Sequence, residues 1–446
     1  MAFRDLRGFL AALDAAGELH RVAAEVDPEL EIAAVTDRHC KAPGGGRALL
    51  FERVRGSAVP VATNLFGSAA RMALALGVAD LGELTGRSAP LFASPALAVP
   101  PVTVPAAPCR EVVTERGGLS RFPFLKSWPG EAGRFITLPL VFTRDLATGE
   151  VNCGMYRVRI FDDATAGLRC KPGSGGFAHY RGYAEAGVPM PVAIAVGADP
   201  VLTLAASLPL PDPLDELSFA GYLRGEPVEI TPSLFPGLSV PARAELVIEG
   251  YLEPGAFASE GPFGNHTGSY HPGERVPLLR VERITHRRDP ILQATVVGAP
   301  PMEDCWMARA AERILLPLVT RLCPEVVDVR MPMEGIFHGC ALVAIRKTFP
   351  GQGRKVLESL REGSWLRRGK LLVVVDAGKG EATLAGLFWR ALNGVRFPDD
   401  LLVDQGLLGV DATRKLPAEG GDGAAELLAD PAVARLVERR WREYGF

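Results

Sequence analysis

The stretch Val151-Asn152-Cys153-Gly154-Met155-Tyr156-Arg157-Val158-Arg159-Ile160-Phe161 reads as a β-strand with polar residues set into an apolar run. Before it, Arg144-Asp145-Leu146-Ala147-Thr148-Gly149-Glu150 predicts a hairpin turn that lays Ile136 to Phe142 alongside Val151 to Phe161. Pro191 to Val196 and Glu245 to Leu252 are runs of the same kind, separated by Gly, Asp and Pro. Together they predict a predominantly antiparallel sheet or split β-barrel in the middle third of the chain. Asn152 and Arg157 are an odd number of positions apart, so a regular strand would point them to opposite faces. Both can meet one ligand only if a bulge intervenes, with Gly154 the natural place for it; an edge strand with exposed polar residues is the alternative.

Outside the β-rich middle the pattern changes. Phe3, Leu6, Phe9, Leu10 and Leu13 recur at helical spacing, and Gly17 follows as a C-terminal stop. Asp27-Pro28 supplies an N-cap and a first-turn proline for a second helix through about Cys40, and Ala48 to Phe51 and Val59 to Thr63 read as short strands. Residues 1–108 are therefore predicted as an N-terminal α/β segment. It closes on the proline-rich Ala96 to Pro108, which suits a linker or an edge strand. Residues 109–300 hold the split β-barrel. In 301–428 helical and strand signals alternate over Ala308 to Leu322, Val326 to Met331, Leu342 to Lys347, Gly353 to Glu362, Lys370 to Asp376 and Glu381 to Leu392, which predicts a second α/β unit. Residues 429–446 carry a helix begun by Asp430-Pro431. Its Val433, Leu436, Val437 and Trp441 form one stripe that either docks on another subunit or packs on its own domain. The fold class is α+β / α/β multidomain.

With 446 residues, 48% of them hydrophobic, the chain has material for two or three domains. A formal net charge of -3 with both signs interspersed argues against a nucleic-acid face or a polybasic membrane patch, and favours a small neutral or anionic ligand. Cysteines 40, 109, 153, 170, 305, 323 and 340 form no C-x-x-C pair, and Met1-Ala2-Phe3-Arg4-Asp5 lacks an export signal, so reduced thiols in a cytoplasmic protein are expected. The apolar runs Val188 to Val196 and Leu371 to Val375 fall well short of the roughly 20 residues that cross a bilayer, and read as core strands.

Chemistry concentrates in Ser259-Glu260-Gly261-Pro262-Phe263-Gly264-Asn265-His266-Thr267-Gly268, where a carboxylate, an amide and an imidazole share a glycine-punctuated loop. A solvated loop between strands is the alternative. Glu216, with Asp212 and Asp215, lies just before the helix-like Leu217 to Leu223; these acids either complement the helix dipole or offer oxygens to a hard cation. Asp376-Ala377-Gly378-Lys379-Gly380-Glu381 follows a buried strand but lacks the glycine spacing and the Lys-Ser/Thr pair of a phosphate loop. Asn265-His266-Thr267 matches a glycosylation acceptor in form only, since no export signal accompanies it.

Taken together, these segments resemble the UbiD family of decarboxylases, which use prenylated FMN, and most closely its polyprenyl-hydroxybenzoate decarboxylase-like branch. The likeness is carried by the N-x-G-x-Y-R element at Asn152 to Arg157, Gly175-Gly176 ahead of His179-Tyr180, Gly197-Ala198-Asp199-Pro200, Pro209 to Glu216 leading into Phe219-Ala220-Gly221, Glu260 to Gly264, and Gly409-Val410-Asp411-Ala412-Thr413 with Lys415. It implies a central flavin-binding barrel, a C-terminal oligomerisation domain, and removal of CO2, or its reversible addition, on an aromatic, heteroaromatic or α,β-unsaturated acid through a covalent prenylated-FMN adduct. The partners implied are the small carboxylic acid, a flavin prenyltransferase that supplies the cofactor, and further copies of the chain in a homodimer or larger homo-oligomer.

The resemblance further implies Mn2+ or Mg2+ on Asn152 and Glu216, bridging the cofactor phosphate, with K+ nearby. It assigns phosphate contact to Lys370 and cofactor contacts to Thr137, Met155, Tyr156, Arg157, Arg169, Cys170, Lys171, Ser174, Gly175, Ser207 and Leu208. Some members add a histidine metal ligand near Gly173 to Gly176; here His179 is the nearest, and a plain surface histidine is the alternative. Arg157 and Glu260 are implied as a paired network over the reactive ring, with a carboxylic acid five residues after Glu260 as proton donor. That position is Asn265, whose amide does not titrate near neutral pH. His266 or Glu260 donates the proton, or Asn265 orients a water or a particular substrate, or decarboxylation has been lost. A flavin-binding accessory subunit and an ordinary FMN oxidoreductase are the readings from other classes. Leu407, Leu408 and Phe263 are candidate pocket walls.

Overall fold

The apolar spacing at the start of the chain forms the helix Leu6–Ala15, which buries Leu6, Phe9, Leu10 and Leu13 and is capped by the Asp5 carboxylate accepting from the Gly8 N–H. Gly17 follows with φ 72°, a conformation that costs glycine little and ends the helix. The computed structural model describes residues 3–336, 338–378, 383–404, 406–422, 427 and 429–445. Lys379, Gly380 and Glu381 of the glycine-rich segment lie outside the described residues.

The second helix starts later than Asp27-Pro28 predicts, at Glu31, and ends at Cys40. Asp27 accepts instead from the Glu29 N–H, while Glu29 bridges to Lys126 and Leu30 turns to φ 72°. A contact with a distant segment takes the residues that would have made the first helical turn. The strand Leu19–Val26 and the helices Ala69–Leu76 and Glu83–Ala93 complete this region without having been predicted from the sequence. Among the described residues the N-terminal sheet runs Leu19–Val26, Ala48–Val54, Val61–Thr63 and then Leu292–Gln293, the last arriving from far along the chain. Val102–Thr103 is an edge strand of a small sheet, pairing in parallel with Glu229–Pro232.

The middle of the chain folds into a large antiparallel sheet ordered Phe135–Ile136, Val158–Ile160, Thr165–Leu168, Arg275–His286, Leu246–Ser259, Met190–Val196, Leu140–Arg144 and Val151–Gly154. The hairpin is present, with Thr143 opposite Asn152 and Arg144 opposite Val151. Each of the two strands of that hairpin, however, is broken in two. Phe135–Ile136 pairs with Val158–Ile160 at one end of the sheet, and Leu140–Arg144 with Val151–Gly154 at the other. The links Thr137 to Pro139 and Met155 to Arg157 join these two ends, and four residue steps span at most about 14 Å. The sheet is therefore rolled upon itself, with both connections crossing an open seam.

One interior serves the first two regions and reaches the start of the third: Leu6, Phe9, Phe66 and Leu91 pack in the same cluster as Phe142, Leu204, Phe219 and Ile314. The C-terminal unit has a five-stranded sheet among the described residues, ordered Val326–Arg330, Cys340–Ile345, Leu371–Asp376, Leu407–Asp411 and Leu401–Asp404, with the three inner strands parallel. The helices Glu303–Leu322, Gln352–Gly363 and Leu384–Gly394 accompany it. The terminal helix Pro431–Arg439 is capped by Asp430 as expected, and none of its residues is buried. No helix among the described residues is long and apolar enough to cross a membrane.

Candidate active site at the barrel seam

The chain crosses the seam with a tight local fold rather than the bulge expected at Gly154. Tyr156 folds back over Gly154, where a Cβ would lie 2.3 Å from the tyrosine hydroxyl. That hydroxyl accepts from the Gly176 N–H at 3.1 Å and from Asn152 Nδ2 at 3.3 Å, and the Met155 N–H donates to Ala206 O at 3.0 Å. The ladder stops for Met155 to Arg157, which releases Asn152 and Arg157 from the opposite-face rule. The Ala206 contact also brings Ser207 and Leu208 beside Met155; the Ser207 hydroxyl donates to Leu204 O at 2.7 Å.

Glu216 and Asp215 take different partners. Asp215 caps the helix Glu216–Arg224 by accepting from the Ser218 N–H, while Glu216 Oε2 turns to the Cys153 N–H at 3.1 Å. Burial pushes the Glu216 carboxyl up to about 7, against the backbone hydrogen bonds of Cys153 and Glu216 itself. With Asn152 Nδ2 donating to Tyr156, its Oδ1 is left as an acceptor, and it lies 2.2 Å from where a Gly175 Cβ would stand. Ser174 caps the helix Gly175–Ala186, whose N-terminal amides open beside this amide oxygen. Among the described residues no group of three or more His, Cys, Asp or Glu could hold a metal. The donors offered are the oxygens of Asn152 and Glu216, a set that suits a hard cation completed by phosphate and water. His179 is no surface residue: it is buried, and its Nδ1 lies 2.9 Å from the Thr143 hydroxyl, behind Asn152 in the ladder. Cys170 Sγ packs 3.2 Å from where a Gly176 Cβ would stand, and burial pushes its thiol up to about 12.

On the other side of Tyr156, Arg157 Nε donates to Glu260 Oε1 at 2.8 Å, and its guanidinium lies over the Phe263 ring at 4.3 Å. Glu260 is 1% exposed. Burial lowers the Arg157 pKa, against the opposing pull of Glu260. The Arg169 N–H donates to Arg157 O at 3.2 Å, and Arg169 Nε stands 3.6 Å from Glu260 Oε2 and 2.5 Å from Glu274 Oε1. Lys171 follows, its pKa lowered by burial and then by Arg169 and Arg157. The loop is held from below by Glu131, which accepts from Gly264 N–H at 3.0 Å and Ser127 N–H at 2.6 Å. Asn265 Oδ1 accepts from the N–H of His266 at 2.8 Å, and the His266 ring meets His338 edge to face, with centroids 4.9 Å apart. Burial, then His338, Lys171 and Arg157, depress His266 to about 4. Lys370 bears electrostatically on His338, and its N–H donates to Gly339 O at 2.9 Å.

Thr137 lies in the other seam link, where its hydroxyl accepts from the Thr295 N–H at 3.0 Å. The remaining candidates thus fall into two adjoining groups, one around Asn152, Ser174, Gly175 and Glu216, the other around Arg157, Arg169, Lys171, Glu260, Asn265 and His266. Glu131, Glu274 and His338 join the second group without having been found in the sequence, where no motif or local spacing marks them. Two segments of the sequence pattern turn out to brace the fold: Asp199 pairs with Arg224 at 3.1 Å, and Lys415 with Asp400 at 2.9 Å.

Family models described as the N-terminal, Rift-related and C-terminal domains of 3-octaprenyl-4-hydroxybenzoate carboxy-lyase match residues 10–87, 101–300 and 305–421. An uncharacterized protein of Archaeoglobus fulgidus is 41% identical over 483 residues, and one of Aquifex aeolicus 36% over 480, each match covering 99% of both chains. Among solved structures, the closed form of vanillic acid decarboxylase from Sedimentibacter hydroxybenzoicus is similar with TM-score 0.92 and 27% identity, over 100% of this chain and 99% of that one. An evolved dimeric form of the UbiD-class enzyme HmfF from Pelotomaculum thermopropionicum, in complex with prFMN, is similar with TM-score 0.85 and 29% identity, over 97% and 98%.

Proposed function

Because the chain belongs to the UbiD family of carboxy-lyases, we propose that it removes CO2, reversibly, from an aromatic, heteroaromatic or α,β-unsaturated carboxylic acid, with prenylated FMN as its cofactor. The observation that carries this reading is the buried Arg157–Glu260 pair at the barrel seam, flanked by the side-chain oxygens of Asn152 and Glu216 and by Arg169 and Lys171. When bound, the cofactor supplies an electron sink for the bonding pair that CO2 leaves behind.

Asn152 Oδ1 and Glu216 would hold Mn2+ or Mg2+ against the cofactor phosphate, with K+ nearby, and the helix N-terminus at Ser174 and Gly175 would face the same anion. Lys171 and Lys370 add positive charge for the phosphate and the substrate carboxylate. Arg157, fixed between Glu260 and Phe263, would orient that carboxylate, and Arg169 braced by Glu274 keeps Glu260 in place. A second reading, a flavin-binding accessory protein or an FMN oxidoreductase, is favoured by Asn265, whose amide carries no transferable proton.

Reconstitution with a flavin prenyltransferase separates these readings. Mass spectrometry and the absorbance spectrum identify the flavin, while CO2 release and deuterium exchange are screened over the three acid classes. Prenylated flavin with turnover supports the proposal; its absence, or the absence of both CO2 release and exchange with every class, overturns it.

A homo-oligomer assembled through the C-terminal unit is also proposed. Trp389, Leu392, Phe397 and Val403 are 64%, 77%, 71% and 80% exposed, and Leu401–Asp404 is an edge strand. An apolar group of this size is characteristic of a contact surface, and the exposed Val433 and Leu436 of the terminal helix favour its docking on another subunit. A cytoplasmic location is supported by seven cysteines that are all unpaired with one another.

A further inference from the structure

We propose that His338, carried by the C-terminal unit, joins His266 in a two-ring proton-holding pair that stands in for the carboxylic acid absent at Asn265. The inference rests on the decarboxylase reading and identifies the group that closes the reaction. The two rings come from loops far apart in sequence, yet stand edge to face with centroids 4.9 Å apart and planes at 90°. Asn265 is committed to local structure: its Oδ1 accepts the His266 N–H, and its own N–H donates to Ser269 O at 3.0 Å. The amide thus sets the backbone of His266 instead of supplying a proton.

Accessibility gives the pair a direction. His266 is half-buried in the loop that follows Glu260, whereas His338 is exposed. His266 faces His338, Lys171 and Arg157, and His338 faces His266, Lys171 and Lys370. Burial first, and then this positive charge, discourages a proton on either ring. A bound phosphate or carboxylate offsets Lys171, Lys370 and Arg157, so filling the site loads the pair.

In the step itself the carbon–carboxylate bond breaks, CO2 leaves, and the bonding pair stays on the substrate carbon. That carbon takes the proton of the His266 imidazolium, forming a C–H bond and leaving a neutral ring. His338 draws a proton from water and returns it to His266. No oxidant or reductant enters.

The test combines ring NMR with kinetics. In protein without cofactor, His338→Gln is expected to move the His266 titration upward, and addition of ordinary FMN to wild-type protein is expected to move both histidine titrations upward. In the reconstituted enzyme, His338→Gln should lower kcat by about tenfold or more, at little change in KM, with a displaced pH profile and slower deuterium incorporation. Asn265→Asp in the His338→Gln background should restore turnover. An active wild-type enzyme whose His338→Gln variant keeps its His266 titration, pH profile and exchange rate overturns the pair alone. A reconstituted wild-type protein that releases no CO2 from any acid overturns the decarboxylase reading, and the pair's role with it.

Discussion

Arg157 and Glu260 meet at 2.8 Å across 103 positions of chain, in a site where the carboxylate is 1% exposed and the guanidinium rests on Phe263. Neither residue has a local partner of opposite charge. The pair exists because the seam link Met155 to Arg157 and the loop after Ser259 are folded against each other.

Breaking that pair should cost both activity and stability. Glu260→Gln leaves the buried Arg157 charge without its counterion, and unfolding experiments should show a loss of about 3 kcal/mol. Activity should fall by about 10² or more, because an uncompensated guanidinium no longer holds one orientation. Flavin content measured alongside separates misplacement of the substrate from loss of the cofactor.

If Glu216 holds the proposed cation, it is expected to set a pH dependence for binding. Its carboxyl lies at about 7, raised by burial, so below that pH Mn2+ must displace a proton. Affinity should rise about tenfold per pH unit up to about 7 and level off above it, as read by calorimetry, and Glu216→Gln should remove the slope. The folded state holds this proton more tightly than the unfolded chain. Without metal, the contribution of Glu216 to stability is therefore lost as pH climbs from the ordinary carboxylate range through about 7. Bound Mn2+ should cancel that loss.

Gly175→Ala isolates the geometry of the cation end. Alanine normally favours a helix over glycine by about 0.5–1 kcal/mol, yet here the Cβ would lie 2.2 Å from Asn152 Oδ1. Thermal unfolding should change little, while Mn2+ and flavin retention fall sharply. Equal retention in variant and wild type would place the cation elsewhere.

The exposed apolar group on the C-terminal unit predicts its own outcome. Trp389→Asp with Leu392→Glu should shift the protein toward monomer in light scattering after size exclusion, and should leave the Arg157 and Glu216 sites folded. Unchanged mass would exclude this face as the contact.

Local chemistry in the sequence determined a good deal. Alternating apolar residues and the Asp145 to Glu150 turn specify the hairpin, Asp430 caps the helix expected of it, and the apolar spacing from Leu6 with Gly17 as its stop gives the first helix. These effects act over one turn or one strand pair, which a linear reading can resolve. The loop Ser259 to Gly268 and the segment Asp215-Glu216 were likewise visible as places where polar groups collect. Tertiary structure decided how they are used. It broke the strand at Met155 and gave capping to Asp215 and the seam to Glu216. It also drew Leu30 away from its helix and brought Glu131, Glu274 and His338 to the loop. Each of those outcomes depends on a distance between residues remote in sequence. Such distances are set by how the sheet rolls and where its ends are forced together, and no local propensity carries that information.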